Sequence, residues 1–158
     1  SCLLSSDNLN WEGLPISRQE AAFKRDGLLF SGASYAINKI PYSPDKMNDG
    51  ILFSEEISVL DLRSADIVVM SACNTAAGED SLDGIYGLQR AFKIAGANTI
   101  IMTLWRTNDK ATMRFMDVFY ENLFSGNSKY ASFKKAQQTI RNEYNNDPYY
   151  WAPFIMLD

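Results

Sequence analysis

Two short runs of apolar residues, rich in β-branched side chains, constrain this chain more than anything else in it. They are Asp66-Ile67-Val68-Val69-Met70-Ser71 and Thr99-Ile100-Ile101-Met102-Thr103-Leu104. A strand without apolar-polar alternation has no solvated face, so each run reads as a strand buried on both sides in a parallel sheet. The first is expected to be central. Between them Leu82, Ile85, Leu88, Phe92 and Ala95 recur at helical spacing, and Gly96 supplies the stop. Strand, helix and strand in that order make a βαβ unit with a right-handed crossover, and the predicted architecture is α/β with a largely parallel sheet flanked by helices.

The flanking residues extend this plan. Residues 1–26 show neither period and read as an irregular lead-in. Gly27 to Gly32 and Gly50 to Phe53 are short apolar runs separated by a stretch rich in turn residues, which predicts two short strands around a surface loop. Ser54-Glu55-Glu56 predicts a helix start, with a hydroxyl N-cap and carboxylates in the first turn. After Leu104, Thr107 or Asn108 is expected to cap a helix with Met113, Met116, Phe119, Tyr120 and Leu123 inward and Gly126 past its end. A further helix is expected from about Ser128 to Tyr144 on a stripe of Phe133, Ala136, Ile140 and Tyr144, and Pro153 opens a terminal strand over Phe154 to Leu157.

Composition narrows function. The 158 residues carry 15 Lys plus Arg against 19 Asp plus Glu, a formal charge of −4 that argues against nucleic acid as partner. No apolar run approaches the roughly 18 to 20 residues that span a bilayer, so no membrane segment is expected. Two cysteines, Cys2 and Cys73, make at most one bridge, which points to a reducing cytoplasm. Histidine is absent, which removes the commonest general base and metal ligand. Neither a Ser-His-Asp triad nor a complete Cys-His dyad exists within these residues, and no metal or other cofactor is expected. The first ten residues show no secretory signal pattern, and a start at Ser1 suggests an excised or processed piece.

In open α/β sheets, reactive groups gather beyond the carboxyl ends of the strands. Cys73 follows the first buried run there, opening the loop Asn74 to Asp80, either as a reactive thiol or as a packing cysteine, since free Cys is among the most buried residue types. That loop has Glu79 and Asp80 and no basic residue before Arg90, so it repels phosphate. There is no Cys-x-x-Cys pair and no P-loop. Asp109, after the second buried run, either lines a pocket for a basic side chain or is a helix N-terminal charge favoured by the dipole. Trp105, Tyr149, Tyr150 and Trp151 form an aromatic concentration whose default role is packing.

The ordered set Asp49-Gly50-Ile51-Leu52, Leu60-Asp61-Leu62, Ser71-Ala72-Cys73-Asn74-Thr75, Gly87-Leu88-Gln89-Arg90-Ala91-Phe92, Leu104-Trp105, Asp109-Lys110-Ala111-Thr112 and Tyr150-Trp151-Ala152-Pro153-Phe154 resembles the CHAT domain. CHAT domains are caspase-like, separase-related cysteine peptidases often found behind tetratricopeptide repeats in bacteria. The resemblance covers residues from about 27 to 158 and implies a caspase-like sandwich, incomplete at its N-terminal side. It implies that Cys73 is the nucleophile, with a His-Gly pair from an earlier strand supplying the base and half of the oxyanion hole. That pair is absent here, so the resemblance implies a C-terminal portion that borrows its His from an upstream segment. Asn74 stands where relatives often carry an acidic residue, and Asp109 matches a family acidic position, so both are expected to bear on substrate fit.

The leading expectation is therefore a cysteine endopeptidase acting on protein or peptide substrates, inactive as this chain alone. The alternative is a noncatalytic CHAT-like interaction module. A flavodoxin-like nucleotide binder is a third reading, disfavoured by the acidic loop. If upstream strands belong to the same sheet, this chain alone exposes an apolar edge and is expected to pair with them, dimerise or aggregate.

Overall fold

The computed structural model describes residues 27–31, 33, 50–70 and 81–158. The element order is β1 (Gly27–Leu29), β2 (Ile51–Phe53), α1 (Ser54–Ser58), β3 (Ile67–Met70), α2 (Ser81–Ile94), β4 (Thr99–Thr103), α3 (Asp109–Phe124), α4 (Lys129–Glu143), α5 (Pro148–Trp151) and β5 (Phe154–Leu157). The chain divides into two compact units, one with β1, β2, α1 and α2, the other with β3, β4, α3, α4, α5 and β5. The expected lead-in of 1–26 lies outside the described residues.

In the first unit β1 and β2 pair antiparallel, Gly27 opposite Phe53 and Leu29 opposite Ile51, as the two short strands expected here, while the expected loop at 34–49 lies outside the described residues. The expected hydroxyl cap of α1 is corrected by one position. Phe53 is the N-cap, Ser54 is the first helical residue, and the Glu56 carboxylate accepts from the Phe53 N–H at 2.9 Å. The Ser54 hydroxyl is buried without a partner among the described residues, so the cap that forms is the reach-back half of a capping box. α1 packs against α2, and Ile57, Leu88, Ala91 and Phe92 are buried. α2 ends as predicted. Gly96 has φ of 95°, its N–H reaches Lys93 O at 3.1 Å and the Ala97 N–H reaches Phe92 O at 3.0 Å, the paired bonds of a Schellman motif. A Cβ at Gly96 would stand 2.6 Å from Arg63 Cγ. The turn holding Arg63 is tied to α2 by the bond from Leu62 N–H to Ala95 O at 2.8 Å.

The second unit is built on β4. All five of its residues are buried, and the strand order is β3-β4-β5. β3 pairs with β4 in parallel, Met70 opposite Met102, whereas β5 pairs antiparallel, Thr103 opposite Phe154. The described sheet is thus mixed rather than mostly parallel. β5 follows α5 directly, begins beside the carboxyl end of β4 and runs back along it, after a long connection that contains α3, α4 and α5. The expectation that β3 is central is corrected too. Among the described strands it lies at an edge, with Val69 exposed, and β4 holds the centre.

The α3 and α4 helices pack together against this sheet. The buried face of α3 is Ala111, Phe115, Val118 and Phe119. Met113 and Tyr120, expected inward, are exposed, because they lie on the opposite side of the helix from Phe115 and Val118 at about 100° per residue. α4 keeps its predicted stripe, with Phe133, Ala136 and Ile140 fully or almost fully buried and Tyr144 packed against them. Phe115 is the centre of this core. Its ring stacks on Phe154 with centroids 3.9 Å apart and meets Phe133 edge-on at 5.4 Å. Outside the core, Arg114 of α3 forks onto Glu143 of α4 at 3.0 and 3.1 Å, and that carboxylate raises the guanidinium pKa further. Among the described residues no helix is long and apolar enough to cross a membrane.

Removing the Phe115 ring takes away both aromatic contacts and leaves a cavity between helix and sheet. Phe115→Ala is expected to cost about 3–5 kcal/mol in urea unfolding. A loss below about 1 kcal/mol would mean that the core does not depend on this ring.

Candidate active site

The parallel register of β3 and β4 brings their carboxyl ends to the same edge of the sheet. Beyond Met70 the sequence reaches Cys73 and Asn74, which lie outside the described residues. Beyond Thr103 the chain is described throughout, and Leu104, Trp105 and Thr107 each make a bond that holds it. Leu104 N–H donates to Pro153 O at 3.0 Å. The half-buried Trp105 donates its indole N–H to Tyr149 O at 3.3 Å, which joins the loop to α5. Thr107 is buried and its hydroxyl lies 2.6 Å from that of Thr112, one turn into α3.

Asn108 then caps α3, its side-chain oxygen accepting from Lys110 N–H at 3.0 Å and Ala111 N–H at 3.3 Å. This decides between the two caps the sequence offered, because Thr107 is already paired with Thr112. Asp109 is the first helical residue, exposed, with no side chain bonded to its carboxylate among the described residues. Its position, six residues past the end of β4, fits the dipole-favoured charge, and the side chain is exposed. Arg106, also exposed, stands three residues earlier.

The aromatic residues near this edge divide by role. Asp147 caps α5 by accepting from Tyr149 N–H at 3.0 Å, with Pro148 in the first turn. Tyr150 stacks on Tyr144 at 4.3 Å and Trp151 packs on the core, its ring 5.2 Å from the Arg141 guanidinium. These two are packing residues, as expected. Tyr149 is about half exposed, 48 %, and presents its ring to solvent while its carbonyl holds Trp105. Sequence reasoning missed this link. The signal available was Asp147-Pro148, an N-cap followed by proline, which marks a helix start just before the aromatic cluster.

The arrangement is a braced loop beyond the carboxyl end of β4 that leads to an exposed carboxylate, on the side of the sheet where α/β proteins keep reactive groups. Comparison with known families defines the class as a caspase-like, protease-related domain. Residues 19–158 match the CHAT domain, and the chain belongs to that family. It is 34% identical over 101 residues to tetratricopeptide repeat protein 28 of Mus musculus, across 63% of this chain and 4% of that protein. It is 29% identical over 101 residues to tetratricopeptide repeat protein 28 of Homo sapiens, with the same coverage of 63% and 4%. The chain therefore spans only about 4% of the length of these relatives.

Loss of the cap should loosen the helix start that carries Asp109. Asn108→Ala is expected to lower stability by about 1 kcal/mol in urea unfolding, and an unchanged midpoint would show that the two backbone bonds it accepts are replaced by water without loss.

Proposed function

We propose that this chain is the cysteine-bearing, C-terminal portion, from Gly27 to Asp158, of a caspase-like endopeptidase whose general base is a His on an upstream segment of the same polypeptide. The observation that carries this reading is the CHAT match over 19–158 in a chain with Cys73 just past β3 and no His of its own. β3 adds support: an Ile-Val-Val-Met strand at the edge of the described sheet is apolar enough to take a further strand along its open side. An upstream strand ending in His-Gly would complete a caspase-like sandwich there. Without it the isolated chain pairs with itself through the same edge.

In this mechanism the His takes the Cys73 proton and the thiolate sulfur bonds to the substrate's peptide carbonyl carbon. The developing oxyanion is held by the backbone N–H groups of Cys73 and of the glycine after the His. The C–N bond then breaks, the amine leaves with the proton from the His, and water hydrolyses the thioester to release the acid and restore the thiol. Asp109, an exposed carboxylate beyond β4, accepts a basic substrate side chain, and Asn74 lies next to the nucleophile in sequence and tunes the fit. The reading needs a reduced thiol, which fits a cytoplasmic setting. Like the relatives, whose names record tetratricopeptide repeats, the parent carries such repeats upstream.

Without a His the thiol of this chain stays largely protonated near pH 7, at a reference pKa of about 8.5. The parent polypeptide, incubated with a peptide library, is expected to generate new peptide ends after basic residues. Cys73→Ala should abolish them, and Asp109→Asn should lower kcat/KM for Lys and Arg substrates about tenfold or more while sparing others. Cleavage that survives Cys73→Ala contradicts the proposal. If an upstream His-Gly is present and nothing is cleaved, the noncatalytic interaction module becomes the better reading.

A further inference from the structure

The two edges of the described sheet are not alike. β3 and β5 lie on either side of β4, and each is only four residues long. Leu104 N–H donates to Pro153 O, so Pro153 faces β4, and by antiparallel alternation Ile155 and Leu157 face it too. Phe154 and Met156 therefore turn their backbone groups outward. A strand added to this edge would have to pair with those two residues.

One of the two is already occupied. Gln137, half-buried on α4, donates its side-chain N–H to Phe154 O at 3.0 Å. Phe133, Ala136 and Ile140 of α4 are buried in the same core as Phe154, so the amide reaches the edge from a rigid support. Just before the strand the Ala152 N–H goes to Pro148 O at 3.0 Å, and just after it the Asp158 carboxylate accepts from the Thr99 hydroxyl at 2.8 Å. Met156 alone is left to carry a ladder.

β3 carries no such device. Among the described residues no side chain bonds to its backbone, and Val69 is exposed on it. Edges covered by a side chain or a helix resist strand addition, whereas bare apolar edges invite it. A second copy seated on β5 would have to displace the Gln137 amide, at the cost of a hydrogen bond already made, while one seated on β3 displaces no described group.

We propose that Gln137 is an edge guard, closing β5 to strand addition so that copies of this domain associate through the β3 edge alone. This rests on the reading above that β3 takes a further strand. Two copies that meet through β3 close on each other and stop, whereas two open edges per copy would build a growing chain of subunits. Once an upstream strand fills β3 in the parent, the guard leaves the described sheet no open edge for a second copy.

The test is sedimentation velocity on this chain over a concentration series, with hydrogen–deuterium exchange read by mass spectrometry. The unchanged chain is expected to stop at a dimer. Gln137→Ala should add a step, with species beyond the dimer appearing at about tenfold lower concentration, the ratio set by one lost hydrogen bond, and with new protection over Phe154–Leu157. Gln137→Lys, which returns a donor of sufficient length, should restore the original distribution. Protection lost across α3 and α4 means that the alanine variant has not folded, and Gln137→Ser, also too short to reach, then takes its place. An unchanged distribution, or larger species with no protection over Phe154–Leu157, overturns the proposal. A monomeric unchanged chain overturns instead the pairing through β3, and the guard is then judged by whether Gln137→Ala dimerises through β5.

Discussion

Complete burial of β4 is the condition on which the rest of the second unit depends. A strand buried along its whole length must have its backbone groups paired on both edges, because an unpaired amide or carbonyl there costs free energy comparable to a lost hydrogen bond. β3 pairs with one edge and β5 with the other. Since β3 runs parallel to β4, the chain must leave and return through a long connection that contains α2, and the carboxyl ends of both strands arrive at one side. The candidate active-site edge is a consequence of that pairing.

Antiparallel β5 solves a second problem at the same edge. By starting beside the carboxyl end of β4, it places Pro153 against Leu104 and the short α5 helix next to the loop that carries Trp105. Phe154, the first residue of β5, stacks on Phe115 of α3. One aromatic contact therefore couples the terminal strand to the helix whose first residue is Asp109, and the loop between β4 and α3 is held by bonds on both sides. Apolar burial supplies the stability of this region, and the hydrogen bonds set its geometry.

Much of this was legible in the sequence, and the errors have a common cause. Unbroken apolar runs located β3 and β4, helical spacing located α2 and α4, and Gly96 and Gly126 marked helix ends that do take positive φ. Composition along a strand reports how much burial it suits. It does not report which neighbour is present, so β3 looked central and lies at an edge of the described sheet. In α3 apolar residues stand on both sides of the helix, so periodicity alone places Met113 and Tyr120 inward although the structure exposes them. The missing discriminator was the Phe154 ring, which selects Phe115 and is distant in sequence. Around the site, Asp109 was legible as a candidate by its place after β4. The Trp105 to Tyr149 bond was not, because a side-chain to backbone contact across 44 residues leaves no local pattern. Cys73 and Asn74 rest on sequence and family membership.

The central claim is that Cys73 is an activated nucleophile only when an upstream His faces it. The most direct measurement is the rate of Cys73 alkylation by iodoacetamide as a function of pH, read by mass spectrometry in the parent polypeptide and in this chain, with Cys2 followed alongside as a reference thiol. The account predicts that in the parent Cys73 reacts well below pH 7, because a protonated His holds the thiolate, while in this chain its rate rises only towards the ordinary thiol pKa of about 8.5. Identical pH profiles for Cys73 in the two proteins would contradict the account.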